Sequence, residues 1–245
     1  MHFVHGSFSG IDDAFGEQIA LEDAFEIVRL HRYGFGPSPV LGRSNFENDA
    51  RGLLALLEEP GHVVGHSYGA VVSLVAASLR PEAFKSLTVI EPPAFGLVAT
   101  HPNAVRLAGR LRPVFAGSAQ CAPSEFLGGF LRGLGYPIPP DFALDPEEAS
   151  AVRSTVEERW PGEAPIDLSR IAAAGVPAMV ACGAWDNVPD ETRDLAYPFF
   201  RAVCDRVASE LNAELHEFPG ASHNPQRLGG PFNEVLRAFL ARISD

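Results

Sequence analysis

Short apolar runs alternate along the chain with stretches whose apolar residues recur at helical spacing. The runs are HFVHG (2–6), FEIVRLH (25–31), HVVGH (62–66), SLTVIEP (86–92), PAMVACG (177–183) and AELHEFP (213–219). They are rich in β-branched and aromatic residues and several end at Gly or Pro, so they predict strands. Between them lie helical patterns. SNFENDARGLLALLEE opens on Ser44 with Glu47 three residues later, a capping-box signature ahead of an apolar face. YGAVVSLVAASLR is apolar nearly all round, as a buried helix is, and PFNEVLRAFLARIS closes the chain with apolar residues at helical spacing. Strand and helix in alternation predict an α/β protein with a mainly parallel sheet of about six strands, covered on both faces.

One region breaks the alternation. From about 95 to 169 there is no strand signal, only helical pieces cut by Pro and Gly, with Phe115, Phe126, Phe130, Tyr136, Phe142 and Trp160 scattered through them. The expectation is a core formed by 1–94 and 170–245, carrying a helical cap inserted at 95–169. Long insertions of this kind commonly serve as lids.

The chain has 245 residues, enough for one large domain, and its 46% hydrophobic content allows a core without metal or disulfide support. The formal net charge of -12 argues against nucleic acid and anionic membranes as partners. Cys121, Cys182 and Cys204 are odd in number and fit no metal-ligand spacing, which reads as reduced thiols in a cytoplasm. No basic, apolar leader opens the chain and no apolar run approaches a membrane span. These features suit a soluble enzyme of bacterial type.

The candidate chemistry lies in Gly65-His66-Ser67-Tyr68-Gly69, a G-x-S-x-G between an apolar strand and an apolar helix. There it predicts a sharp elbow that holds a serine hydroxyl above the strand's carboxyl end, over a helix N-terminus that favours developing negative charge. A nucleophilic serine needs a base and a group to orient that base. His223 follows a strand and a Gly turn, and Asp186 lies three residues past Gly183. All three sit at carboxyl ends of predicted strands, which lie on one edge of a parallel sheet. For the acid, Glu91 at the end of SLTVIEP is an alternative, and Asp190 reads better as a helix N-cap.

At this point the sequence resembles the α/β-hydrolase superfamily of the serine nucleophile-elbow type, through VHGSFSG (4–10), VVGHSYGA (63–70), VACGAWD (180–186) and FPGASHNP (218–225). YGFGPSP (33–39) is similar to the Gly-rich loop after that superfamily's fourth strand. The resemblance implies oxyanion-hole N–H donors at Ser7 or Phe8 and at Tyr68. It also implies a strand order 4-3-5-6-7-8 in family numbering, since the usual amino-terminal strand hairpin looks missing. The edge left without it would need cover from a loop or another chain, so a monomer or a homodimer is expected.

The activity so implied is hydrolysis of a small to medium apolar carboxylic ester through an acyl-enzyme, with neither metal nor organic cofactor. Phe95, Phe126, Phe130 and Trp185 are expected to contact a small apolar substrate. Carbon–carbon hydrolase, lactonase, thioesterase and cofactor-free perhydrolase reactions use the same triad, and the fold also serves non-catalytic ligand-binding receptors.

Overall fold

The computed structural model describes residues 1–40, 45–118 and 121–243. Six strands form a single parallel sheet: β1 (His2–Val4), β2 (Val28–Leu30), β3 (Gly61–His66), β4 (Phe84–Ile90), β5 (Ala178–Gly183) and β6 (Glu214–Phe218). Their order is β2-β1-β3-β4-β5-β6, which is the order the superfamily resemblance implies.

Helices cover both faces. On one lie α2 (Phe46–Leu56), α3 (Tyr68–Leu79), α7 (Leu168–Ala173) and α8 (Asp190–Leu211); on the other lie α1 (Ile11–Phe15) and α9 (Gly230–Ala241). Successive strand residues feed opposite layers: Val4, Val63, Val89 and Val180 join the first core, while Phe3, Val64, Ile90 and Ala181 join the second. Strand side chains alternate between faces, so a sheet covered twice must be apolar at every position. This is why the inner strands β3, β4 and β5 read as mainly apolar runs, whereas β2 and β6 at the edges carry charged residues. Among the described residues no helix is long and apolar enough to cross a membrane.

The central helix α3 is buried along its length except at Leu79. Its seat depends on Gly69. A Cβ there would lie 2.2 Å from the carbonyl oxygen of Val4 and 2.4 Å from that of His5, so only glycine lets α3 close on the end of β1. Gly65 is equally constrained, with a Cβ meeting Ser73 Oγ at 2.5 Å and the Gly69 carbonyl at 2.6 Å. The two glycines of the motif are therefore packing requirements.

The cap of α2 is Asn45, whose side chain accepts from the N–H groups of Glu47 and Asn48 at 3.0 and 2.9 Å. Ser44, expected in that role, lies outside the described residues. Among the described residues the segment between β4 and β5 contains no strand. It carries α4 (Pro102–Ala116), α5 (Pro123–Gly133) and α6 (Pro146–Val156) before α7 returns the chain to the sheet.

The second core layer gives a direct stability test. Phe232 of α9 has no exposed surface and packs on Phe218, with ring centroids 5.5 Å apart. Phe232→Ala is expected to cost about 3–5 kcal/mol in urea unfolding; a loss under about 1 kcal/mol would mean that this layer is loosely packed.

Candidate active site

The carboxyl ends of β1, β3, β4 and β5 and the loop after β6 meet on one edge of the sheet. Ser67 occupies the turn between β3 and α3 with φ 54° and ψ -123°, a left-handed conformation costly for a residue with a Cβ. Its backbone N–H donates to the Ile90 carbonyl at 2.9 Å, which pins the elbow to β4. Gly6 approaches from the β1 side; a Cβ there would lie 2.7 Å from Ser67 Cβ. Among the described residues five non-glycine residues hold positive φ, and Phe8, Ser67, Glu91 and Trp185 stand at this edge. Such strain gathers where surrounding structure over-determines the backbone, characteristically at functional sites.

Ser67 Oγ lies 2.9 Å from His223 Nε2, and His223 Nδ1 lies 2.9 Å from Glu91 Oε2. A carboxylate only accepts, so Nδ1 carries the proton and Nε2 presents its lone pair to the serine hydroxyl. Glu91 has no exposed surface. Its other oxygen, Oε1, accepts from Gly183 N at 2.8 Å, Trp185 Nε1 at 2.9 Å and Cys182 Sγ at 3.3 Å. With these donors in place the buried carboxylate is satisfied on both oxygens.

The expected acid, Asp186, takes no part in this chain of bonds. It is exposed, and its Oδ1 accepts from Gly220 N at 2.9 Å. Trp185 causes the difference. With φ 54° its backbone turns so that the indole goes inward, almost fully buried, and the next residue faces solvent. Trp185 N–H donates to the Ala221 carbonyl at 2.8 Å, and Asn187 Nδ2 to the Gly220 carbonyl at 2.9 Å. Asp186 thus helps to brace the turn that presents His223, while the carboxylate on the imidazole is Glu91.

The loop after β1 holds the expected oxyanion donors. The Phe8 N–H is committed to Thr155 Oγ1 at 2.8 Å, whereas the amides of Ser7 and Tyr68 have no partner among the described residues. His66, beside the serine, lies under the imidazole with ring centroids 5.0 Å apart. Its Nε2–H donates to the His223 carbonyl at 2.9 Å, and its Nδ1 has no partner among the described residues. Burial, then the proximity of His223, pushes its pKa well below the ordinary 6.5.

Above Ser67 opens a cavity of about 350 Å³. Phe8, Phe95, Phe130 and Trp185 line it. Phe126, expected among these, stands behind the wall, its ring 5.9 Å from Phe8 and 5.4 Å from Phe115. Walls that the sequence reading passed over are Phe115, Tyr136, Trp160, Phe199 and Phe200. Phe199 and Phe200 belong to α8, whose helical periodicity reads as core; Phe200 also packs 4.5 Å from the His223 ring. The signal that could have found them is their adjacency to the strand end bearing Trp185.

A model of the alpha/beta hydrolase family matches residues 3–235. A stretch of 70 residues is 40% identical to pimeloyl-(acyl-carrier protein) methyl ester esterase of Methylococcus capsulatus, covering 29% of this chain and 28% of that protein's length. Among solved structures, MenH from S. aureus superposes with a TM-score of 0.71 at 15% identity, covering 100% of this chain and 94% of that one. NosK from Streptomyces actuosus superposes with a TM-score of 0.64 at 21% identity, covering 100% and 98%. These structural likenesses concern the fold.

The buried imidazoles set a pH signature. His5 and His66 both have pKa values pushed well below 6.5, burial being the first cause in each. Below about pH 6.5 the unfolded chain binds protons that the folded chain refuses, so stability is full above that pH and falls beneath it. His66→Gln keeps a donor for the His223 carbonyl and removes one titrating group. Its unfolding free energy from about pH 7.5 to about pH 5 is expected to decline less steeply than wild type, by up to about 1.4 kcal/mol per pH unit. Equal slopes would show that His66 contributes nothing to the dependence.

Proposed function

Because the chain belongs to the alpha/beta hydrolase family, we propose that it is a serine hydrolase that cleaves an apolar carboxylic ester through an acyl-enzyme on Ser67. One observation carries this reading: two 2.9 Å hydrogen bonds run from Ser67 through His223 to a fully buried carboxylate, with the serine strained into the elbow conformation. A base in the correct tautomer, held by a fixed acid, is what makes a primary alcohol nucleophilic at neutral pH.

In this reading Ser67 Oγ attacks the acyl carbon as its proton passes to His223 Nε2, and Glu91 stabilises the imidazolium. The carbonyl oxygen becomes an alkoxide facing the amides of Ser7 and Tyr68. Collapse of the tetrahedral adduct breaks the acyl–oxygen bond, and the imidazolium returns its proton to the departing alkoxide. Water, deprotonated by the same imidazole, then attacks the acyl-serine; the products are the acid and free enzyme. The aromatic cavity suits an apolar acyl or alcohol group, and the helical segment between β4 and β5 serves as the cap that keeps it dry. The methyl ester esterase relative supports a carboxylic ester as the substrate class.

A p-nitrophenyl ester panel with a fluorophosphonate probe tests the reading. Wild type is expected to hydrolyse the esters and to be labelled on Ser67, and Ser67→Ala to lose both. Binding without turnover or labelling would favour a receptor. Glu91→Gln separates the two acids: it is expected to lower kcat about 10²- to 10⁴-fold, because the amide can hold the wrong tautomer. Asp186→Asn is expected to stay within about threefold of wild type. The reverse ranking would return the role of the acid to Asp186.

A further inference from the structure

The loop that carries Ser7 and Phe8 leaves the sheet at the end of β1. Its anchors come from far along the chain. Phe8 N–H donates to Thr155 Oγ1 at 2.8 Å across a separation of 147 residues. Ser7 Oγ donates to Glu158 Oε2 at 2.5 Å across 151 residues. Thr155 lies in the last turn of α6 and Glu158 just beyond it; both are buried. Thr155 Oγ1 itself donates to the Ala151 carbonyl at 3.0 Å, which leaves its lone pairs for the Phe8 amide.

Behind Glu158 stands a charged cluster with no exposed surface to speak of. Arg32 Nη2 donates to Glu158 Oε1 at 2.5 Å and to the Gly6 carbonyl at 2.9 Å, and Nη1 donates to Asp49 Oδ2 at 3.2 Å. The guanidinium sits over the rings of Phe35 and Tyr68, 4.5 and 4.8 Å from their centroids. One cation serves two carboxylates here. Burial pushes the pKa of both Glu158 and Asp49 up, against the opposing pull of Arg32. Buried ion networks of this kind add little net stability compared with apolar packing; what they fix well is geometry. The geometry fixed here is that of the peptide between Gly6 and Phe8, gripped by Arg32 on one side and by Thr155 and Glu158 on the other.

We propose that Thr155 and Glu158 are positioning residues through which the seated helical segment assembles the oxyanion hole. This rests on the reading of Ser67 as nucleophile. Thr155 draws the Phe8 N–H away from the serine, and the turn, held at φ 65° on Phe8, leaves the Ser7 amide as the loop's donor. The helices that close the cavity and the donor that stabilises the alkoxide are thereby one mechanical unit. Both anchors belong to α6 or directly follow it, so the loop is held in this arrangement only where that helix is seated.

The test uses the isosteric pair Thr155→Val and Thr155→Ser in the full chain, with p-nitrophenyl butyrate turnover, the rate of fluorophosphonate labelling of Ser67, and Tm. Val removes the acceptor for Phe8 N–H, and Ser restores it. Thr155→Val is expected to lower kcat about 10- to 100-fold with KM within about twofold, since a misplaced donor is felt in the transition state. Labelling should slow in parallel, because phosphonylation develops charge on an oxygen in the same hole. Thr155→Ser is expected within about threefold of wild-type kcat. Wild-type kcat in Thr155→Val, equal losses in Val and Ser, or a loss confined to KM would each overturn the proposal. If Thr155→Val does not fold, Glu158→Gln carries the same test, with the same fall in kcat expected and unchanged kcat overturning it. A wild type labelled on Ser67 alongside unaffected variants sinks this proposal alone; a wild type never labelled sinks the nucleophile reading as well.

Discussion

The carboxylate of Glu91 is the constraint on which the site depends. An ionised group without exposed surface costs several kcal/mol unless its lone pairs are taken up. Here Gly183, Trp185 and Cys182 take up one oxygen and His223 the other. Each donor is thereby fixed in return. The end of β5 is held to β4, the indole of Trp185 is turned into the core, and the imidazole is aimed at Ser67. Glu91 itself has φ 44°, and its N–H donates to the Ala181 carbonyl at 3.1 Å, continuing the β4–β5 ladder one residue past the strand. The sheet thus delivers the Glu91 carboxylate to His223 without an intervening flexible loop.

Strain on that edge needs a stiff support. Left-handed backbone costs about 1–2 kcal/mol for each residue with a Cβ, and Phe8, Ser67, Glu91 and Trp185 all carry it. The support is the close packing of α3 on β1 and β3, which exists only because Gly65 and Gly69 lack side chains. The same close approach brings the Gly6 turn against Ser67. One pair of glycines therefore sets both the attitude of Ser67 and the approach of the Gly6 turn to it.

Much of this was legible in the sequence for a physical reason. Burial on both faces makes the inner strands mainly apolar, and all six strands read from the sequence differ from the observed ones only at their ends. The G-x-S-x-G and the Gly-x-x-His turn have local signatures, and the structure brings Ser67 and His223 together. The carboxylate bonded to His223 had no such signature. Glu91 and Asp186 both follow strands that end on the same edge, and the choice between them is made by the left-handed Trp185, a property no composition reveals. In the same way nothing local separates the amides of Ser7 and Phe8; a threonine 147 residues away takes up that of Phe8. Phe126 and Phe130 are four apart on one helix, yet one forms a wall of the cavity and the other its backing. Long-range partners decide such questions, and periodicity carries no information about them.

The cavity and the hydrogen bonds from Ser67 through His223 to Glu91 also constrain each other. The His223 ring rests against Phe200 and near Trp185, so its inner side is dry, while its outer side keeps partial exposure. In such a setting the hydrogen bonds to Ser67 and Glu91 are stronger than in water, but a stray polar group would be expensive. The aromatic walls meet that demand. Trp185, Phe199 and Phe200 line the cavity alongside polar groups such as Ser222 and Asn224. Charged side chains also enter the lining at Asp13, Glu158 and Arg227, and Arg227 is paired with Asp13 at 2.6 Å. Under the proposed esterase reading, an apolar group passing these walls loses little hydration, which ties substrate preference to the walls more than to any one contact.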